Sequence, residues 1–121
     1  MEDLLRTLPR FLREAVAQLP KGRRIEELRL REGFPLSAVE GGEEYTHPPW
    51  RDRLLTEEDL RRVLETAGQG SVHTVLDQLR SGYVTAAGGL RIGICGEGAM
   101  KDGSLLSFRR ITSLALRLTH A

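Results

Sequence analysis

The chain has 121 residues, with 18 basic and 17 acidic side chains and a formal net charge of +1 at pH 7. That length bounds it to one domain, residues 1–121, with a core that needs no disulfide or metal. The balanced charge leaves no electrostatic footprint for nucleic acid or an anionic membrane. The single cysteine, Cys95, cannot form an internal disulfide. No apolar run approaches the about 18 residues that span a bilayer, and the acidic start is not that of a signal peptide, so a soluble, cytoplasmic protein is expected.

In chain order, Leu4, Leu8, Phe11, Leu12, Ala15, Val16 and Leu19 keep helical spacing up to Pro20. Pro9 fits the first turn of that helix if Thr7 caps it. Ile25 to Arg31 reads as a strand, with Leu28 and Leu30 inward and Arg29 and Arg31 outward. Gly33-Phe34-Pro35 turns the chain into a second strand, Leu36 to Val39, and Gly41-Gly42 turns it again towards Glu44-Tyr45. Thr46 to Arg53 reads as an irregular connection, and its lone Trp50, after two prolines, is expected to pack back on its own domain.

Thr56-Glu57-Glu58-Asp59 is a helix start, with a threonine N-cap, acidic residues in the first turn and Asp59 near the capping-box position. Leu60, Val63, Leu64 and Ala67 form its apolar stripe, and Gly68 to Gly70 closes it. Ser71 caps a predicted third helix through Leu79 that stops at Ser81-Gly82, and strands follow from Tyr83. In the first long one, Leu90, Ile92 and Ile94 alternate with Arg91, Gly93 and Cys95. A Lys101-Asp102-Gly103 turn leads to the next, Leu105 to Ile111, which carries Arg109 and Arg110. The order of elements predicts an α+β fold, an antiparallel sheet covered on one side by helices.

Gly93, beside Arg91, weakens a strand and marks close approach to that face. Guanidinium groups on rigid strands present a planar donor fork to phosphate or carboxylate. The plainer reading of these arginines is a solvated sheet face. The glycines do not spell a P-loop or a dinucleotide fingerprint, and Gly93-Ile94-Cys95-Gly96 follows a strand pattern rather than joining two helices as a KH loop does. A bulge or tight edge is the simpler account of them. His47, His73 and His120 lack ligand spacing with Cys95, and the Glu26-Glu27 and Glu43-Glu44 pairs read as solvated strand ends. No catalytic residue, metal ligand or nucleic-acid site is assigned.

Ile25 to Arg31 with Pro35-Leu36, then Leu55-Thr56-x-x-Asp59-Leu60, then Gly82-Tyr83-Val84-Thr85, Gly88-Gly89-x-Arg91-Ile92-Gly93-Ile94-x-Gly96 and Ser113-Leu114-x-Leu116-Arg117 together resemble the N-terminal part of the stage III sporulation protein AA family. The resemblance covers roughly residues 8 to 118 and is most specific from Gly82 to Gly96. Leu90 stands where that pattern has histidine, and Thr46 to Arg53 has no counterpart in it. The resemblance implies a mother-cell ATPase, related to secretion and pilus-retraction ATPases, that energises a channel between mother cell and forespore. Its pattern continues past Ala121 into a RecA-like motor with a Walker A lysine. This chain is therefore expected to be an N-terminal domain without ATPase activity of its own, and ATP and Mg belong to the full-length parent. The related ATPases also imply a PAS-like module packed on a neighbouring subunit, a hexameric homo-oligomer and other channel proteins at the membrane as partners. Leu90-Arg91-Ile92 and Phe108-Arg109-Arg110-Ile111 match the pattern of strand-borne arginines that reach a neighbour's nucleotide, which marks Arg91 and Arg109 for trans contact with its phosphate. The alternative is a free-standing PAS-like adaptor or ligand-sensing domain without a motor.

Overall fold

The computed structural model describes residues 8–21, 23–67, 84–85, 90–101 and 104–118. In chain order the elements are helix α1 (Arg10–Ala17), strands β1 (Glu27–Arg31), β2 (Ser37–Glu40) and β3 (Glu43–Tyr45), a 3-10 turn (Pro48–Trp50), helix α2 (Glu57–Ala67), and strands β4 (Val84–Thr85), β5 (Arg91–Lys101) and β6 (Ser104–Arg117). The six strands form one antiparallel sheet in the order β3-β2-β1-β6-β5-β4. The α+β class therefore agrees with the sequence, and the two helices among the described residues share one core with the sheet. The predicted third helix lies outside the described residues.

Period-2 alternation puts every second side chain on the helix side, and the register lines these up across strands. Ala38, Leu28, Leu116 and Ile92 form one cross-strand row, and Leu30, Leu114 and Ile94 form the next. Both rows join Leu8 and Leu12 from the α1 region and Leu60, Val63 and Leu64 of α2 in a single core.

Each helix has a distinct start. Pro9, rather than Thr7, takes the N-cap of α1, and its carbonyl accepts the N–H groups of Leu12 and Arg13. Proline costs nothing there because a first-turn N–H has no intrahelical partner. In α2 the reciprocal capping box forms as the sequence predicts: Asp59 N–H donates to Thr56 Oγ1 (3.1 Å), and Thr56 N–H donates to Asp59 Oδ2 (2.9 Å). Arg53 closes on the same carboxylate at 3.0 Å.

The link from Thr46 to Arg53 is more ordered than expected. Its 3-10 turn delivers Trp50 into the core at 4% exposure, with Nε1 donating to Ala15 O of α1 at 3.0 Å. Gly41 and Gly42 both have positive φ and join Glu40 to its register partner Glu43, the two-residue hairpin turn whose twist suits the flanking strands.

Strand β6 is longer than the Leu105–Ile111 span read from the sequence, and three of its residues are absorbed as bulges where its register against β5 shifts. Cys95 pairs with Ser113 but Gly96 with Ile111, which leaves Thr112 as one of them. At that bulge a Cβ on Gly96 would lie 2.1 Å from the carbonyl oxygen of Arg110, so only glycine fits. Glu57 of α2 takes up the neighbouring backbone donor: Ile111 N–H donates to its Oε2 at 3.0 Å. Arg61 donates to Arg109 O at 3.0 Å.

Two substitutions test this packing by urea unfolding. Trp50→Phe is expected to cost about 1 kcal/mol through the lost indole hydrogen bond, and Trp50→Ala about 3–5 kcal/mol through the cavity. Gly96→Ala is expected to destabilise by roughly 1–3 kcal/mol, since the Arg110 carbonyl must move. A neutral result would remove the close approach as the reason for glycine.

Candidate functional site

The sheet face opposite the helices carries an array of ion pairs. In register across that face stand Glu27, Arg29 and Arg31 of β1, Val39 and Ser37 of β2, Glu44 of β3, Ser113, Ala115 and Arg117 of β6, and Arg91, Gly93 and Cys95 of β5. Each is there because its neighbours in sequence occupy the apolar rows on the other side. Arg31 and Arg29 each donate to Glu44 at 2.7 Å, and Ser37 Oγ donates to the same carboxylate at 2.6 Å. Arg29 also donates to Glu27 at 2.5 Å, and Arg117 lies 3.8 Å from Glu27. The result is a zigzag from Arg31 through Glu44, Arg29 and Glu27 to Arg117. Val39, flanked by Glu27 and Glu44, is buried even though it belongs to this face.

Three donors converge on one carboxylate, and this governs its titration. The Arg31 hydrogen bond, then Ser37, then Arg29 hold the Glu44 carboxyl down at about 2. The Arg29 guanidinium is held further towards its charged form by Glu27 first and Glu44 second. On the helix side, the Ile111 N–H keeps the Glu57 carboxyl below its ordinary range, with Arg61 assisting. No three His, Cys, Asp or Glu side chains converge as a metal site among the described residues.

Arg91 stands at the β5 end of this face, opposite Arg117 and next to Gly93, whose register partner is Ala115. A Cβ on Gly93 would touch nothing closer than 4.0 Å, so the floor beside Arg91 is shallow but not tight. Four arginines against two glutamates leave this face cationic, with guanidinium forks suited to a phosphate or carboxylate. Arg109 is exposed, and it lies elsewhere. It sits eight residues along β6 from Arg117, the partner of Arg91, a separation on the order of 20 Å at about 3.3 Å per residue. The two arginines expected to act together are thus on adjacent strands but at separate places. Arg110 is committed to Glu32, donating from Nε to Oε2 at 3.0 Å.

The ion-pair array was the part that sequence reasoning missed. Glu27 and Glu44 read there as solvated strand ends, whereas cross-strand register makes them the carboxylates that organise three arginines, Arg29, Arg31 and Arg117. A second concavity, a cleft of about 370 Å³, opens between α1 and the 3-10 turn, where Phe11, Glu14, Gln18, Trp50 and Arg53 line it. The Arg53 guanidinium stacks 4.3 Å above the Phe11 ring there. No helix among the described residues is long and apolar enough to cross a membrane.

The family described as sporulation stage III, protein AA, matches residues 1–121. Stage III sporulation protein AA of Bacillus subtilis (strain 168) is similar to the chain, 28% identical over 120 residues that make up 98% of this chain and 38% of that relative. No solved structure matches the chain.

The Glu44 array makes a pH prediction. Because the folded carboxyl titrates at about 2, below its usual 4.5, its contribution is complete above pH 4.5 and is lost as pH falls towards 2. Glu44→Gln is expected to lower stability at pH 7 by roughly 1–2 kcal/mol, allowing for solvent screening, and to flatten the acid limb of the stability profile between pH 4.5 and 2. Denaturant unfolding of both proteins across that range checks it, and parallel acid limbs would contradict it.

Proposed function

The chain belongs to the sporulation stage III, protein AA family, and from that premise we propose that it is the N-terminal regulatory and oligomerisation domain of a secretion-type sporulation ATPase. The observation that carries this reading is the match along all of residues 1–121 to a relative of which it spans only 38%. The remaining length of that relative leaves room for a motor, which would hold the ATP and Mg. Loop chemistry supports the division of labour, since no glycine run in this chain spells a phosphate-cradling loop.

In the assembled protein, a hexamer at the mother-cell face of the channel, the domain packs against a neighbouring subunit. Other channel proteins at the membrane are its further partners. The antiparallel sheet with helices on one side is compatible with the PAS-like module of related secretion ATPases. Arg91, on the cationic face, is assigned to the neighbour's nucleotide phosphate. Arg109, at the bulge near α2, is assigned to a separate contact with that neighbour. Arginines supplied in trans complete a motor only when subunits assemble, so assembly and turnover become coupled. The second reading, a ligand-sensing domain without a motor, is favoured by one observation, the cleft beside Trp50.

Sequencing the gene past codon 121 tests the reading first: a downstream GxxxxGK[ST] is expected, and a stop codon at that point would overturn it. In the full-length protein, Arg91→Ala is expected to reduce ATP turnover about 10-fold or more while leaving the domain folded, with Arg91→Lys rescuing poorly. Full turnover in the alanine variant would remove Arg91 from the motor. Calorimetric titration of residues 1–121 with ATP is expected to show no micromolar site.

A further inference from the structure

The β5–β6 hairpin runs well past the rest of the sheet. Among the described residues, β1 pairs with β6 from Ser113 to Arg117, and β4 pairs with β5 at Arg91 and Ile92. From Gly96 to Lys101 the outer edge of β5 therefore meets no other strand among the described residues. Residues Cys95 to Gly98 are exposed. A two-stranded ribbon is marginal in water, and an edge strand turns alternate N–H and C=O groups outward as a template for further pairing. All three extra residues of the ladder lie in β6, so β5 keeps an uninterrupted strand register along the edge that no described strand pairs.

We propose that this edge pairs antiparallel with the same edge of a second copy of the chain, across a two-fold axis at Ala99. The charge pattern selects both the occupant and the register. With the axis at Ala99, Glu97 of each copy stands opposite Lys101 of the other, so both charged positions are matched twice by one symmetry operation. Moving the axis by one residue sets Glu97 against Ala99 in one direction and Lys101 against Ala99 in the other, and leaves the charges unmatched. Gly96 and Gly98 add no side chain to the strands' approach. The contact is short, five residues per copy from Glu97 to Lys101, which makes the dimer weak and reversible rather than obligate. This pairing does not rest on the ATPase reading, because it needs only the residues of this chain, and its failure would leave that reading untouched.

Sedimentation analysis of residues 1–121 tests it, with folding of each variant verified by circular dichroism. A concentration-dependent dimer is expected at tens to hundreds of micromolar. Glu97→Lys and Lys101→Glu are each expected to weaken it about 10-fold, since each replaces two opposite-charge pairs by two like-charge pairs. Combining both reversals restores the pairing and is expected to return the dissociation constant to within about threefold of the original. Hydrogen exchange supplies a readout that needs no variant: raising concentration should protect amides between Gly96 and Lys101. A chain that stays monomeric to about a millimolar, a double variant no better than the singles, or protection appearing only outside β5 would each overturn the proposal.

Discussion

Burial of Leu114 and Leu116 is the constraint on which the rest of the fold depends. Both lie in β6, which is hydrogen-bonded to β1 on one side and β5 on the other, so their rows reach across the sheet. Removing each side chain from water contributes about 1.5–3 kcal/mol, and the same surface is what the helices cover. Where the core-facing alternation of β6 breaks at Thr112, the cost would be an unsatisfied backbone donor. Glu57 accepts that hydrogen bond from Ile111, so one helix side chain supplies what the ladder lost. The register of the sheet and the position of α2 are therefore set together.

The same alternation dictates the character of the other face. Once Leu28 and Leu30 point inward, Glu27, Arg29 and Arg31 must point outward, and antiparallel pairing brings Glu44 and Arg117 beside them. A single exposed ion pair contributes little, but here two carboxylates are each shared among guanidinium groups, and side chains held in a network have less freedom left to lose. The chemistry of this surface is thus a by-product of how the core is built. Its excess of arginine over glutamate gives it a preference for anionic groups.

Much of this was legible in the sequence where a local rule governs. The alternation in Ile25 to Arg31 and in Leu90 to Cys95 gave real strands, and the Thr56 and Asp59 spacing formed its reciprocal cap. Gly96 stands opposite the bulge at Thr112, the close approach that its neighbourhood suggested. What could not be read were relations between distant segments. Arg109 and Arg110 interrupt the alternation of β6, which hid its full length, because nothing local distinguishes a bulge from a strand end. Arg91 and Arg109 looked like a pair because their sequence patterns are alike, but position along a ladder is set by register, which neither pattern encodes. Trp50 packs back on its own domain as its sequence context suggested, but the partner of its indole, a helix carbonyl 35 residues earlier in the chain, is a relation no local rule gives.

The central place of β6 also fixes how the domain would respond to being pulled. Traction along this strand loads the β1 and β5 ladders in shear, so their hydrogen bonds, which lie across the pulling direction, must fail together. Traction across the strands would instead open the β5–β6 bonds in succession, like a zipper. The domain is therefore mechanically anisotropic. It resists along the strand that links its core to the end of the sheet, and it yields first at the arm, where the glycines and bulges are gathered.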